Sequence, residues 1–170
     1  MAEQDNIPDW VKRKKREKEE EERKAEAEHQ RQLAASKVVG EKGPDFWKHF
    51  VDQVGNNVRA LKELEGEELV GMMSHENNSA ELHCYIQVNR QSVKWGPELS
   101  QMNLWYRPGT HRIRRWYQNA DAGDIELISF GNEVRAKVDR SGPFTAEQLA
   151  DRLVEWMAEQ VSHRNFRSYV

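Results

Sequence analysis

The spacing of apolar residues changes along this chain, and the changes divide it. From Lys12 to Gln32 there is no Leu, Ile, Val or aromatic residue, and Lys, Arg, Glu and Gln fill most positions. Such a stretch has no apolar stripe with which to join a core. Glu19 with Arg23 and Glu20 with Lys24 stand four apart in the more favourable helical orientation. Lys15 with Glu19, Arg16 with Glu20 and Lys18 with Glu22 stand in the reverse one. Residues 1–43 are therefore expected to be a charged, solvent-exposed helical extension and linker. A coiled-coil seam needs an apolar residue every three or four positions. Only Ala25 and Ala27 are available here, so dimerisation through this helix is not expected. The basic run from Lys12 to Lys18 is an alternative contact for nucleic acid or anionic lipid, blunted by the glutamates beside it.

Gly40 to Gly43 mark a boundary, and Pro44-Asp45 are expected to open the next element. Phe46, Trp47, Phe50, Val51, Val54, Val58 and Leu61 then recur at helical spacing, and Gly66 is the expected stop. Beyond it the period falls to two. Leu82, Cys84, Ile86 and Val88 alternate with His83, Tyr85, Gln87 and Asn89, a half-buried strand preceded by residues 69–74 and a polar turn at 76–79. Further strands are expected at 102–107, 111–118, 125–130 and 133–139, with a weak short one at 92–95.

One hairpin has its register written in the sequence. A Gly131-Asn132 loop suits a type II′ turn. It sets Ile125 opposite Val138, Leu127 opposite Ala136 and Ser129 opposite Val134, with Glu126 meeting Lys137 on the other face. After it, Thr145-Ala146-Glu147-Gln148 has capping-box spacing, with Phe144 and Leu149 placed as a hydrophobic staple. Leu149, Leu153, Trp156, Met157 and Val161 give the final helix its stripe.

The expected fold is α+β. A curved antiparallel meander of five to seven strands is flanked by an N-terminal and a C-terminal amphipathic helix in two layers. The single domain spans 44–161, and 162–170 form a basic, aromatic tail ending Ser-Tyr-Val, a weak match to the carboxylate-capture mode of peptide recognition.

Composition narrows the chemistry. The chain has 170 residues, a net charge of −3 and one cysteine. No run approaches a membrane span. The lone Cys84 and the absence of a secretory leader in MAEQDNIPDW lead to a cytoplasmic expectation, in which the Asn77-Asn78-Ser79 sequon carries no meaning. No dinucleotide, phosphate-loop, hydrolase-elbow, zincin or Cys-x-x-Cys motif occurs, so no catalytic residue, cofactor or metal is assigned and the protein is not expected to be an enzyme. His75, Glu76 and His83 are a minor metal candidate if they converge across the first turn. Cys84 belongs to the apolar set and is expected in the core.

Residues 105–118 form the surface of interest. Between Glu98 and Asp121 there is no acid, while Arg107, His111, Arg112, Arg114 and Arg115 interleave with Trp105, Tyr106, Trp116 and Tyr117. With Pro108-Gly109 as a two-residue loop, Leu104 pairs with Ile113 and Trp105 with Arg112. Asn103, Trp105, Arg107, Arg112, Arg114, Trp116 and Gln118 then share one face. One extra loop residue would scatter them over both faces, and Pro-Gly prefers turns that fit tight hairpins poorly. The expected function is a non-enzymatic interaction module that binds a protein through Trp105, Arg107, Arg112, Arg114 and Trp116. Single-stranded nucleic acid or another anionic ligand on the same face is the alternative. A third possibility is an enzyme or small-ligand site built from residues scattered in sequence.

Overall fold

In the computed structural model, residues 7–63, 69–77, 80–90 and 98–163 are described. The expected helix stop at Gly66, the turn residues Asn78 and Ser79, the strand at 92–95 and the tail from Arg164 to Val170 lie outside them. The chain forms two units, Met1–Lys37 and Val38–Val170.

One helix, α1 (Asp9–Ala60), contributes to both units. In the first unit its ion pairs are exposed: Glu20 with Lys24 at 2.7 Å, Lys18 with Glu22 at 3.8 Å, and Arg13 with Glu17 at 3.9 Å, a pair the spacing analysis did not single out. Each contributes a few tenths of a kcal/mol at most.

The helix expected to open at Pro44 instead runs through Gly40, Gly43 and Pro44 without a break. Proline in a helix interior removes one hydrogen bond and costs about 3 kcal/mol. Val39, Phe46 and Trp47, buried to 1%, 6% and 3% exposure around it, each return about 1.5–3 kcal/mol. Packing outweighs the local breaker. Farther along, Phe50, Val51, Val54, Val58 and Leu61 are all buried, as their spacing predicted.

Seven strands follow: β1 (Leu69–Asn77), β2 (Leu82–Arg90), β3 (Glu98–Tyr106), β4 (Arg112–Tyr117), β5 (Ala120–Phe130), β6 (Glu133–Val138) and β7 (Ser141–Phe144). They pair antiparallel in sequence order as one open sheet. The β5–β6 register is the predicted one, Ile125 to Val138 through Phe130 to Glu133. Gly131 has φ of 61°, the positive value that a type II′ turn requires at its first central residue. The strands also extend beyond expectation. β1 runs on to Asn77, β3 begins at Glu98, β5 begins five residues early on Ala120-Asp121-Ala122-Gly123-Asp124, and residues 141–143, for which no strand was expected, belong to β7. The added stretches of β5 and β7 have no apolar alternation and are held by pairing with their neighbours.

The last helix, α2 (Ala146–His163), starts with the predicted reciprocal cap. Gln148 N–H donates to Thr145 Oγ1 at 3.1 Å, and Thr145 N–H donates to Gln148 Oε1 at 3.0 Å. Leu149, Leu153, Met157 and Val161 are buried, but Trp156 is 39% exposed and packs edge-on against Tyr117 at 4.7 Å.

Within Val38–Val170 both helices cover one sheet face. Trp47 stacks on Tyr106 of β3 with centroids 5.6 Å apart. Gln53 and Asn57 of α1 donate to Asp151 of α2 at 3.0 and 2.8 Å. Two glycines permit the close approach. A Cβ at Gly71 would lie 2.6 Å from Val58 Cγ1 and 2.8 Å from the Val58 carbonyl oxygen, and one at Gly43 would collide with the Tyr106 hydroxyl. Under the helices lie Cys84, Ile86, Val88, Met102, Leu104 and Ile113, each 1% exposed or less. Burial pushes the Cys84 thiol up to about 12. Burial likewise raises Tyr106.

Candidate functional site

The uncovered face of the sheet carries the predicted patch, on a different register from the predicted one. Arg107-Pro108-Gly109-Thr110 closes with Thr110 N–H donating to the Arg107 carbonyl at 3.0 Å, and Gly109 has φ of 84°. This is the type II geometry that Pro-Gly favours. It does not fit a two-residue hairpin, so the connection lengthens. Ile113 pairs with Tyr106 rather than Leu104, and Trp105 faces Arg114 rather than Arg112.

The slip is two residues, and side chains alternate with period two. Every face assignment within the paired strands therefore survives. Met102, Leu104 and Tyr106 point inward with Ile113, while Asn103 and Trp105 point outward with Arg112, Arg114 and Trp116. Two members leave the set. Arg107 sits in the exposed loop, and Gln118 lies beyond β4 with φ of 52° and its amide donating to the Leu99 carbonyl.

Across β2, β3 and β4 the outward side chains form a row. The His83 ring stacks on Trp105 with centroids 4.9 Å apart and planes 18° from parallel. Trp105 then meets Trp116 edge-to-face at 6.3 Å and 84°, the geometry that aromatic quadrupoles favour. One His83 ring nitrogen, Nε2, lies 2.9 Å from Asn103 Oδ1, which holds the imidazole in this stack. All three rings are half-buried, whereas Arg112 and Arg114 are exposed.

The stretch without acids in sequence is not without acids in space. β5 places Asp121 opposite Trp116, Asp124 opposite Arg114 and Glu126 opposite Arg112. Arg112 pairs with Asp124 at 3.7 Å, with 74% and 41% of the two side chains exposed. Arg112 and Arg114 thus each face a carboxylate, Asp121 faces Trp116, Lys137 lies beyond Glu126 on β6, and the patch has mixed sign. Only pairing the strands reveals this.

The metal candidate does not assemble. Glu76 lies opposite His83, but His75 lies opposite Cys84 and so faces the other side of the sheet. Among the described residues no group of three His, Cys, Asp or Glu side chains is placed to hold a metal. No described helix is long and apolar enough to cross a membrane.

One charged residue was given no separate role by the sequence. Ile113, Arg115 and Tyr117 alternate onto the inner face, so Arg115 points under α2 with its side chain 13% exposed. An arginine at a core-facing strand position is itself a signal, because that side chain is almost never buried without a partner. Arg115 donates from Nε to the Ala122 carbonyl at 3.1 Å and also from Nη2, at a bulge between Arg114 and Trp116. No protein-family model, no curated protein and no solved structure matches this chain.

Proposed function

We propose that the protein is a non-enzymatic cytoplasmic interaction module whose partner is a polypeptide held on the outer sheet face by Trp105, Trp116, Arg112 and Arg114. The observation that carries this is the Trp105–Trp116 pair, edge-to-face on the side of the sheet opposite the helices and bordered by charges of both signs. Tryptophan and arginine dominate the energetics of protein interfaces, and interspersed Arg, Asp and Glu give register to a complementary surface. A nucleic-acid strand would need net positive charge along its path. Arg112 and Arg114 interspersed with Asp121, Asp124 and Glu126, the last paired with Lys137, give a mixed-sign surface that favours the polypeptide.

The experiment is affinity capture with the wild type and with Trp105→Ala/Arg112→Ala/Trp116→Ala, followed by titration of the captured partner in purified form. The triple variant is expected to bind about tenfold or more weakly while remaining cooperatively folded. Equal affinity with an intact fold sinks the proposal. Binding of single-stranded oligonucleotide that weakens steeply with salt would transfer the same face to nucleic acid, because the His83–Trp105 stack offers bases a platform.

A further inference from the structure

The strongest unassigned feature lies on the helical side of the sheet. A cleft of about 530 Å³ opens between α2 and the β6–β7 hairpin, within the size range of small-molecule sites. Its apolar part is Phe144, Leu149, Leu153 and Trp156; its charged part is Arg115 and Arg152 with Asp139, Glu155 and Glu159.

Arg115 is the anchor. Its guanidinium is largely withdrawn from water, and the two donations to Ala122 from Nε and Nη2 fix its plane, so the donors left for a carboxylate are those of its outer edge, Nη1 and the second Nη2 hydrogen. The nearest carboxylate, Asp139, stands off at 3.7 Å on a side chain 76% exposed, on a residue with φ of 53° in the tight turn between β6 and β7. That is an ion pair without the bidentate contact that makes arginine a strong carboxylate partner. A ligand carboxylate can make that contact.

The rest of the lining says what else the ligand carries. Two arginines face three acids, so a bare anion would leave the cleft more negative than it already is. Glu155 and Glu159 stand one turn apart on α2 and are exposed at the cleft rim, a pair of acceptors suited to an ammonium group. Phe144, Leu149, Leu153 and Trp156 give the cleft an apolar wall beside these charges. From this we infer that the cleft binds a zwitterionic α-amino acid with a large apolar side chain. The carboxylate meets Arg115, the ammonium meets Glu155 and Glu159, and the side chain lies against Trp156 and Leu153. The site is independent of the outer sheet face, so either proposal can fail alone.

The test is calorimetric titration of the full chain with L-phenylalanine, 3-phenylpropionate, which lacks the ammonium, and phenethylamine, which lacks the carboxylate. L-phenylalanine is expected to bind with Kd of about 1 mM or tighter, and each truncated analogue about tenfold more weakly. Glu155→Gln/Glu159→Gln changes only exposed side chains and is expected to weaken L-phenylalanine by about fivefold or more while phenylpropionate, repelled less, binds as well or better. Arg115→Met is expected to abolish binding. Should it fail to fold without its Ala122 contacts, the glutamate variant still decides. No heat with L-phenylalanine at about 10 mM, equal affinity for phenylpropionate, or an unchanged affinity in the double-glutamine variant each overturns the inference.

Discussion

The two faces of one sheet are built from the same strands by alternation, yet they obey different rules. Inward positions on β2, β3 and β4 are occupied by Cys84, Ile86, Leu104, Tyr106 and Ile113, sealed by helices to 1% exposure or less. Outward neighbours one residue away are His83, Trp105, Arg114 and Trp116, held by each other, by Asn103 and by charges on β5. On the inner face, volume decides; on the outer face, removing a side chain is expected to leave the fold standing.

The sharpest break in that contrast is a paired truncation. Leu104→Ala should lower unfolding stability by about 2–5 kcal/mol, whereas Trp105→Ala next to it should cost less in denaturant midpoint and more in partner affinity. Equal losses of stability would mean the faces are not distinct.

Alkali should act on the inner face through Cys84. With the Cys84 thiol raised from 9.0 to about 12 by burial, its contribution is fully present below pH 9 and is lost as pH rises through 12, by up to about 4 kcal/mol. The stability difference between wild type and Cys84→Ala should therefore shrink across that window. A difference that stays flat would place the thiol in contact with water.

Close approach of α1 to the sheet gives two intermediate effects. Gly71→Ala should cost about 1–3 kcal/mol, because the new methyl meets the Val58 backbone, which cannot rotate away. Gly43→Ala favours the helix by about 1 kcal/mol but collides with the hydroxyl of Tyr106. It should destabilise in the wild type and recover when combined with Tyr106→Phe, as a thermal-melt double-mutant cycle would register. At the small end, Arg112→Ala removes an exposed 3.7 Å ion pair and should change stability by under about 0.5 kcal/mol.

How far these faces were legible depended on the turn beside each strand. Gly131-Asn132 admits one short loop geometry, so β5–β6 was readable to the residue. Pro108-Gly109 admits a turn that a tight hairpin rejects, so β3–β4 slipped by two, and only the evenness of the slip preserved the patch. The carboxylates opposite Arg112 and Arg114 were invisible because Asp121, Asp124 and Glu126 become neighbours only through pairing. Gly40 and Pro44 misled because local breakers weigh less than the burial of Phe46 and Trp47 around them. Arg115 was visible as an odd residue in an inward position, but the cleft above it required α2 to be in place.

The strictly sequential strand order also sets a timetable for the growing chain. Each strand finds its partner in the segment made just before it, so pairing can advance one hairpin at a time with short loops to close. The helical layer keeps a different schedule, because Gln53 and Asn57 must wait for Asp151, 98 and 94 residues later. Until the 18 residues of α2 have emerged, the nascent sheet carries bare apolar surface of the kind that recruits chaperones and seeds aggregation.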